Sequence, residues 1–147
     1  MSKLVRDAMT SQPVTIRRSE SVKSAAELME QQDIGSLPVV DEGGSLCGMV
    51  TDRDIAIRAV AAGRDAEATQ VNEILTSPTI HVTADDSLDM ALELMAKYRL
   101  RRLPVVYNDT QLVGVLAQAD IAHEAKDKQA GQLLEAISEP TQEHARA

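Results

Sequence analysis

The chain repeats itself at a fixed offset of 66 residues, from Val5 to Val71, with no gap, and this periodicity constrains its fold more than any other feature. The same shift lays Thr10-Ser11 on Thr76-Ser77, Ser21 on Ser87, Leu28-Met29 on Leu94-Met95, and Leu37-Pro38-Val39-Val40 on Leu103-Pro104-Val105-Val106. It continues through Leu46, Gly48 and Asp54-Ile55-Ala56, which fall on Leu112, Gly114 and Asp120-Ile121-Ala122. Such a chain is two copies of one supersecondary unit. The copies run over residues 5–62 and 71–125, joined by the polar linker GRDAEATQ at 63–70, whose leading glycine suits a helix C-cap. Residues 126–147 form a tail in which QLLEAISEP reads as a short amphipathic helix stopped by Pro140.

Within each copy, Val14 and Ile16, like Ile80 and Val82, alternate with polar residues as a short strand. Ser19 to Ser21 and Asp85 to Ser87 are helix starts; Val22, Ala25, Ala26 and Met29 then recur at helical spacing, as do Leu88, Ala91, Leu92 and Met95. LPVVDEGGSLCGMV and LPVVYNDTQLVGVL are paired apolar runs around turn residues, hence antiparallel hairpins. TDRDIAIRAVAAG and AQADIAHEAKDKQ supply a second helix in each copy. The predicted fold is α/β (α+β), with β-α-β-β-α twice over. A crossover helix covers one sheet face and leaves the other bare, so the copies are expected to pack as a pseudo-twofold pair with a cleft between them. The helix faces of Val22, Ala26 and Met29 and of Leu88, Leu92 and Met95 look too extensive for that cleft to cover, which predicts an isologous homodimer.

Composition removes several classes of function. Phe and Trp are absent and there are two Tyr, so base stacking on aromatics has no platform. A net charge of −8 repels nucleic-acid backbones and anionic bilayers alike, and neither is an expected partner. MSKLVRDAMTSQ has no signal-like apolar run and no segment is long enough to span a membrane, which predicts a cytoplasmic protein. The single cysteine, Cys47, falls opposite Val113 in an apolar run and reads as a packing thiol rather than a nucleophile. His81, His123 and His144 lack ligand partners at metal-binding spacing, and no nucleophile elbow, zincin or phosphate-loop motif is present. No catalytic or metal residue is therefore assigned.

Two features carry chemistry. The first is Thr51-x-x-Asp54, where a strand gives way to a helix: the backbone N–H groups and hydroxyl suit a phosphate, and the aspartate suits ribose hydroxyls. The same spacing is also a capping box that satisfies helix donors and nothing else. In the second copy Thr51 becomes Ala117 while Asp120 is kept, which points to a task for the carboxylate independent of the hydroxyl, either ligand binding or compensation of the helix dipole. The second feature is KYRLRRLPVV, in which Arg101 and Arg102 replace Gly35 and Ser36. Two guanidiniums before a buried strand suit a phosphate, or else screen nearby carboxylates.

These residues resemble the cystathionine beta-synthase (CBS) domain family, whose tandem units carry a hydrophobic-P-V-V-D segment and a G-h-h-[ST]-x-x-D segment. SLPVVD and GMVTDRD fit well; RLPVVY and GVLAQAD depart at Tyr107 and Ala117. Through TDRDIAIRAVAAG and AISEP the chain looks most like stand-alone bacterial hypoxic-response-type pairs. The resemblance implies a non-enzymatic regulatory module binding AMP, ADP or ATP, with NAD or S-adenosylmethionine as further adenosine ligands and no required cofactor. It implies that Asp54 holds ribose, Thr51 the phosphate end, and Val14, Ile34 and Met49 the adenine. Arg101 and Arg102 would reach phosphates, and Ile80, Leu100, Val115 and Asp120 would form the related second site. The site holding both hydroxyl and aspartate is expected to be the tighter. The alternative is a structural or interaction protein that binds an unidentified enzyme without nucleotide.

Overall fold

The computed structural model describes residues 3–77 and 79–124; the expected helix QLLEAISEP and the tail lie outside them. In chain order the elements are α1 (Val5–Ala8), β1 (Thr10–Ser11), β2 (Ile16–Arg17), α2 (Val22–Gln32), β3 (Ser36–Val40), β4 (Leu46–Thr51) and α3 (Asp52–Asp54). A π-helical segment (Ile55–Val60) and a 3-10 turn (Val71–Glu73) follow, then β5 (Val82–Thr83), α4 (Leu88–Tyr98), β6 (Arg102–Tyr107), β7 (Gln111–Ala117) and α5 (Gln118–Glu124).

Two compact units result. Of the described residues, the Asp54 unit takes 14–77 and 79, and the Asp120 unit joins 3–13 with 80–124. These units are not the repeats at 5–62 and 71–125, because the leading segment of each repeat is built into the unit that holds the body of the other. In the Asp54 unit β2 runs parallel to β3, which pairs antiparallel with β4, Ser36 opposite Thr51. In the Asp120 unit β5 is parallel to β6, β6 antiparallel to β7 with Arg102 opposite Ala117, and β1 closes the far edge, Thr10 opposite Val115. The Asp54 unit has the matching closure in miniature: Thr76 donates its N–H to the Met49 carbonyl at 2.8 Å and accepts from the Met49 N–H at 3.1 Å.

The close approach of these leading segments explains both repeated glycines. A Cβ on Gly48 would sit 2.3 Å from the Thr76 carbonyl oxygen, and one on Gly114 would sit 2.7 Å from the Met9 sulfur and 2.8 Å from the Thr10 carbonyl oxygen. Real Cβ atoms do not come this near other heavy atoms, so a side chain at either position would push the segment off the sheet.

The helices start and stop as their sequences dictate. The Ser21 hydroxyl accepts from the Ser24 N–H at 3.0 Å and the Ser87 hydroxyl from the Met90 N–H at 3.1 Å. Both helices end on a left-handed residue, Asp33 with φ 54° and Arg99 with φ 55°. The residues between the repeats form no loose tether. The π-helical segment is capped by Ala61; Gly63, with φ 74°, turns the chain just beyond it and donates its N–H to the Val60 carbonyl at 3.1 Å, and the carbonyls of Ala66 and Thr69 accept from the N–H groups of Lys23 and Val22.

Two expectations need correction. The strands expected over Val14 to Ile16 and Ile80 to Val82 form over Ile16–Arg17 and Val82–Thr83, since only these residues reach β3 and β6 for pairing. The helix faces expected to need a second molecule are largely consumed at home. Val22 and Met29 are buried in one core with Leu37, Val39 and Val50, and Leu88, Leu92 and Met95 in another with Leu103, Val105 and Leu116. Ala26 alone of that set is exposed.

Candidate functional site

The residues singled out by sequence fall into two groups, one on each unit. Val14, Ile34, Met49, Thr51 and Asp54 belong to the Asp54 unit; Ile80, Leu100, Arg101, Arg102, Val115 and Asp120 belong to the other. Ile34 is half-buried against the first core, and Ile80 and Leu100 against the second; Val115 is buried, and Val14 is 37% exposed.

The Thr51 backbone N–H donates to Asp54 Oδ2 at 3.0 Å, and the Thr51 hydroxyl accepts from the Asp54 N–H at 3.1 Å, a complete reciprocal capping box. Asp54 is 9% exposed, and its other oxygen, Oδ1, accepts from the Thr76 hydroxyl at 3.5 Å and lies 3.8 Å from Arg58 Nε. Arg58 also donates to the carbonyls of Ile74 and Leu75 at 3.4 and 3.2 Å, so this guanidinium ties the carboxylate to the leading segment beside it.

Asp120 keeps one half of that box. Its Oδ2 accepts from the Ala117 N–H at 3.0 Å, and the Thr10 hydroxyl donates to its oxygens at 3.3 and 3.5 Å. The two bonds of a capping box are separable: the aspartate's bond to a backbone N–H needs no threonine hydroxyl. Retention of Asp120 beside Ala117 is thus accounted for by capping and by Thr10. The inference from the lost threonine to a separate ligand task does not follow from this geometry. Thr10 and Thr76, which bond the two aspartates from corresponding positions, were missed as partners. Their match at the repeat offset was the available signal.

At the corner before the hairpin the units diverge. In the Asp54 unit the Asp52 N–H donates to the Gly35 carbonyl at 2.9 Å, and a Cβ on Gly35 would lie 3.1 Å from an Asp52 carboxylate oxygen. In the Asp120 unit the Gln118 N–H makes the same bond to the Arg101 carbonyl at 2.9 Å. Arg101 Nε is shielded from solvent yet has no hydrogen-bond partner, and Arg102 is exposed, with no ion pair among the described residues. A buried donor without an acceptor is costly and calls for a ligand, ion or water.

Cys47 is half-buried, its thiol 3.7 Å from the Ser45 carbonyl, and His81 is exposed. The side chain of His123, and all of His144, lie outside the described residues. Among the described residues no group of three or more His, Cys, Asp or Glu is placed to hold a metal ion, and no helix is long and apolar enough to cross a membrane. An open polar cleft of about 490 Å³ beside Arg17, Arg18, Asp41 and Asn72 contains none of the residues above.

The duplicated β-α-β-β-α unit is the architecture of a tandem domain pair, and the family model for the CBS domain matches residues 5–60 and 71–127. The chain belongs to the CBS domain family. It is similar to the CBS domain-containing protein YhcV of Bacillus subtilis, 41% identical over 135 residues that span 91% of this chain and 94% of the relative. It is 34% identical to hypoxic response protein 1 of Mycobacterium tuberculosis over 92% of this chain and 94% of the relative. Homoserine O-acetyltransferase of Methanocorpusculum labreanum also matches, at 37% identity, but over 23% of its own length. Among solved structures, Hypoxic Response Protein I with two coordinated zinc ions superposes with a TM-score of 0.77 at 34% identity, over 84% of this chain and 99% of that one. CBSX2 in complex with AMP gives 0.71 at 28%, over 82% and 94%. The CBS domain pair of MJ0100, in complex with 5′-methylthioadenosine and S-adenosyl-L-methionine, gives 0.70 at 31%, over 84% and 96%. The zinc of the first has no counterpart donor cluster among the described residues here.

Proposed function

We propose that the chain is a non-enzymatic regulatory module that binds adenine nucleotides of the AMP, ADP and ATP class on its CBS units. The observation that carries this reading is the Arg101 guanidinium, with Nε shielded and unpartnered, within the unit of Asp120 and next to the exposed Arg102, which has no ion pair among the described residues. A phosphate supplies the acceptors this corner lacks. Similar chains holding AMP, 5′-methylthioadenosine and S-adenosyl-L-methionine support the adenosine part. On this reading the carboxylates of Asp54 and Asp120 accept ribose hydroxyls and Thr51 adds a hydroxyl at its own site. Val14, Ile34 and Met49, and Ile80, Leu100 and Val115, form the aliphatic contacts for adenine. The protein acts in the cytoplasm as a homodimer on a partner enzyme. The exposed apolar side chains of Ile57 and Val60, 51% and 70% accessible, now support self-association in place of the buried helix faces.

The rival reading, an interaction protein without nucleotide, is favoured by one observation: capping alone accounts for both aspartates. Thermal unfolding in the presence of AMP, ATP, NAD or S-adenosylmethionine separates the two. A ligand of the native state at a hundred times its Kd adds about 2.7 kcal/mol and raises Tm by several degrees. Unchanged Tm with all four compounds supports the rival.

A further inference from the structure

The cleft of about 490 Å³ in the Asp54 unit lies where β2 and β3 end and the hairpin turns, at the opposite end of the sheet from the Ser36–Thr51 pairing. Its frame is backbone: the Arg18 N–H donates to the Val40 carbonyl at 2.9 Å, the Asn72 N–H to the Arg18 carbonyl at 3.0 Å and the Val71 N–H to the Glu20 carbonyl at 2.8 Å. The Asp120 unit builds the same frame, Ala84 donating to Val106 at 3.2 Å, Arg6 to Ala84 at 3.0 Å and Val5 to Asp86 at 2.9 Å. There the Arg6 side chain pairs with Asp85 at 2.6 Å and the charges are satisfied within the unit. In the Asp54 unit Asn72 and Ser19 take the places of that pair, while Arg17 and Arg18 stand where the other unit has Thr83 and Ala84. Both arginines are exposed, line the cleft and have no side-chain partner among the described residues.

Two carboxylates line the same cleft and form no ion pair with these arginines. Asp41 Oδ1 accepts from the N–H groups of Gly43 and Ser45, both at 2.9 Å, which leaves Oδ2 for a ligand, and the Glu42 carboxylate has no partner among the described residues. We propose that the cleft binds a small zwitterion of the free amino acid class, its carboxylate on Arg17 and Arg18 and its ammonium group on Asp41 and Glu42. Charge makes the selection. Two guanidiniums and two carboxylates sum to no net charge, so a simple anion meets the carboxylates and a simple cation the guanidiniums, whereas a ligand carrying both signs has a partner for each. The planar guanidinium fork matches a carboxylate in particular. Asn72 Nδ2 donates to Gln70 Oε1 at 2.9 Å, which fixes two amides at the rim as further polar contacts. Every lining residue is polar, charged or glycine, and this suits a short or polar amino-acid side chain better than an aliphatic or aromatic one. The site does not depend on the nucleotide reading above.

NMR titration of the isotope-labelled full chain tests this, with L-glutamine and L-serine as probes. Either amino acid should move the amide signals of residues 17–19 and 41–43 saturably, with a Kd of about 1 mM or tighter. L-Glutamine amide, which lacks the carboxylate, and N-acetyl-L-glutamine, which lacks the ammonium charge, should each bind at least about tenfold more weakly than L-glutamine. The double variant Arg17→Ala with Arg18→Ala should weaken L-glutamine by about tenfold or more, and so should Asp41→Asn with Glu42→Gln. Neither pair of substitutions disturbs the frame, because the arginines contribute only backbone bonds to it and asparagine keeps the Oδ1 acceptor of the turn. Circular dichroism checks that both variants are folded. Signals unmoved by either amino acid at millimolar concentration, blocked compounds that bind as well as L-glutamine, or an affinity unchanged in either double variant overturns the proposal.

Discussion

The Asp54 and Asp120 units are two renderings of one backbone, and the comparison separates what the scaffold requires from what a site can vary. Both retain an aspartate bonded to a backbone N–H three residues earlier, a threonine from a leading segment bonded to that aspartate, and a glycine under the segment. Hydroxyl, guanidinium and carboxylate are shuffled around these fixed points. The Asp54 unit has a complete capping box and an arginine clamp; the Asp120 unit has half a box and a pair of arginines at the opposite corner. What is shared is the attachment of the leading segment, and what differs is the chemistry of the side chains around it.

The strongest way to break the shared part is to fill the glycines. Gly48→Ala should cost about 3 kcal/mol, because the added methyl meets a backbone carbonyl at 2.3 Å, whereas Gly114→Ala should cost about 1 to 2 kcal/mol, because part of its conflict is with the flexible Met9 side chain. Urea unfolding measures both, and equal losses would mean that the two segments sit on their sheets alike. A smaller difference is expected at the aspartates. Asp54→Ala removes acceptors for a backbone N–H, a hydroxyl and Arg58 and should cost about 2 kcal/mol, while Asp120→Ala, without an arginine partner, should cost about 1 kcal/mol. Matching midpoints for these two variants would show that the Arg58 clamp contributes nothing. The smallest effect sharpens the comparison instead of breaking it. Thr51→Ala should lose about 1 kcal/mol and Ala117→Thr should gain about 0.5 kcal/mol by restoring the missing bond to the Asp120 N–H, read as opposite shifts in thermal midpoint.

Much of this was legible in the sequence because it is local. The hairpins follow from two apolar runs around turn residues, the helix starts from Ser21 and Ser87, and the duplication from identities at one offset. The exchange of leading segments was not legible, since an offset aligns Thr10 with Thr76 without saying which aspartate each will meet. The π-helical winding of Ile55–Val60 was hidden as well. Its apolar spacing suits an ordinary helix, and only the bonds from Ala61 to Ala56 and from Arg64 to Ala59, five residues back, reveal the wider turn. At the site, Thr51 and Asp54 were visible as a pair, but a pattern that serves capping and ligand binding equally cannot say which bond is made. Arg101 stood out by replacing a glycine; that its Nε is left shielded and unpartnered is a property of the folded chain that no sequence pattern carries.

The exchanged segments also bear on how such a chain can be taken apart or be assembled by gene duplication. A cut anywhere in 63–70 hands each fragment the wrong edge: the first keeps Thr10 and loses Thr76, the second keeps Thr76 and loses Thr10. Neither half is a self-sufficient module, although each is a full sequence repeat. A minimal excision of the Asp54 unit must therefore begin near Val14 and extend through Thr79, crossing the repeat boundary. A single copy would have to take its closing segment from a second chain, whereas the duplicated chain supplies that segment from within itself.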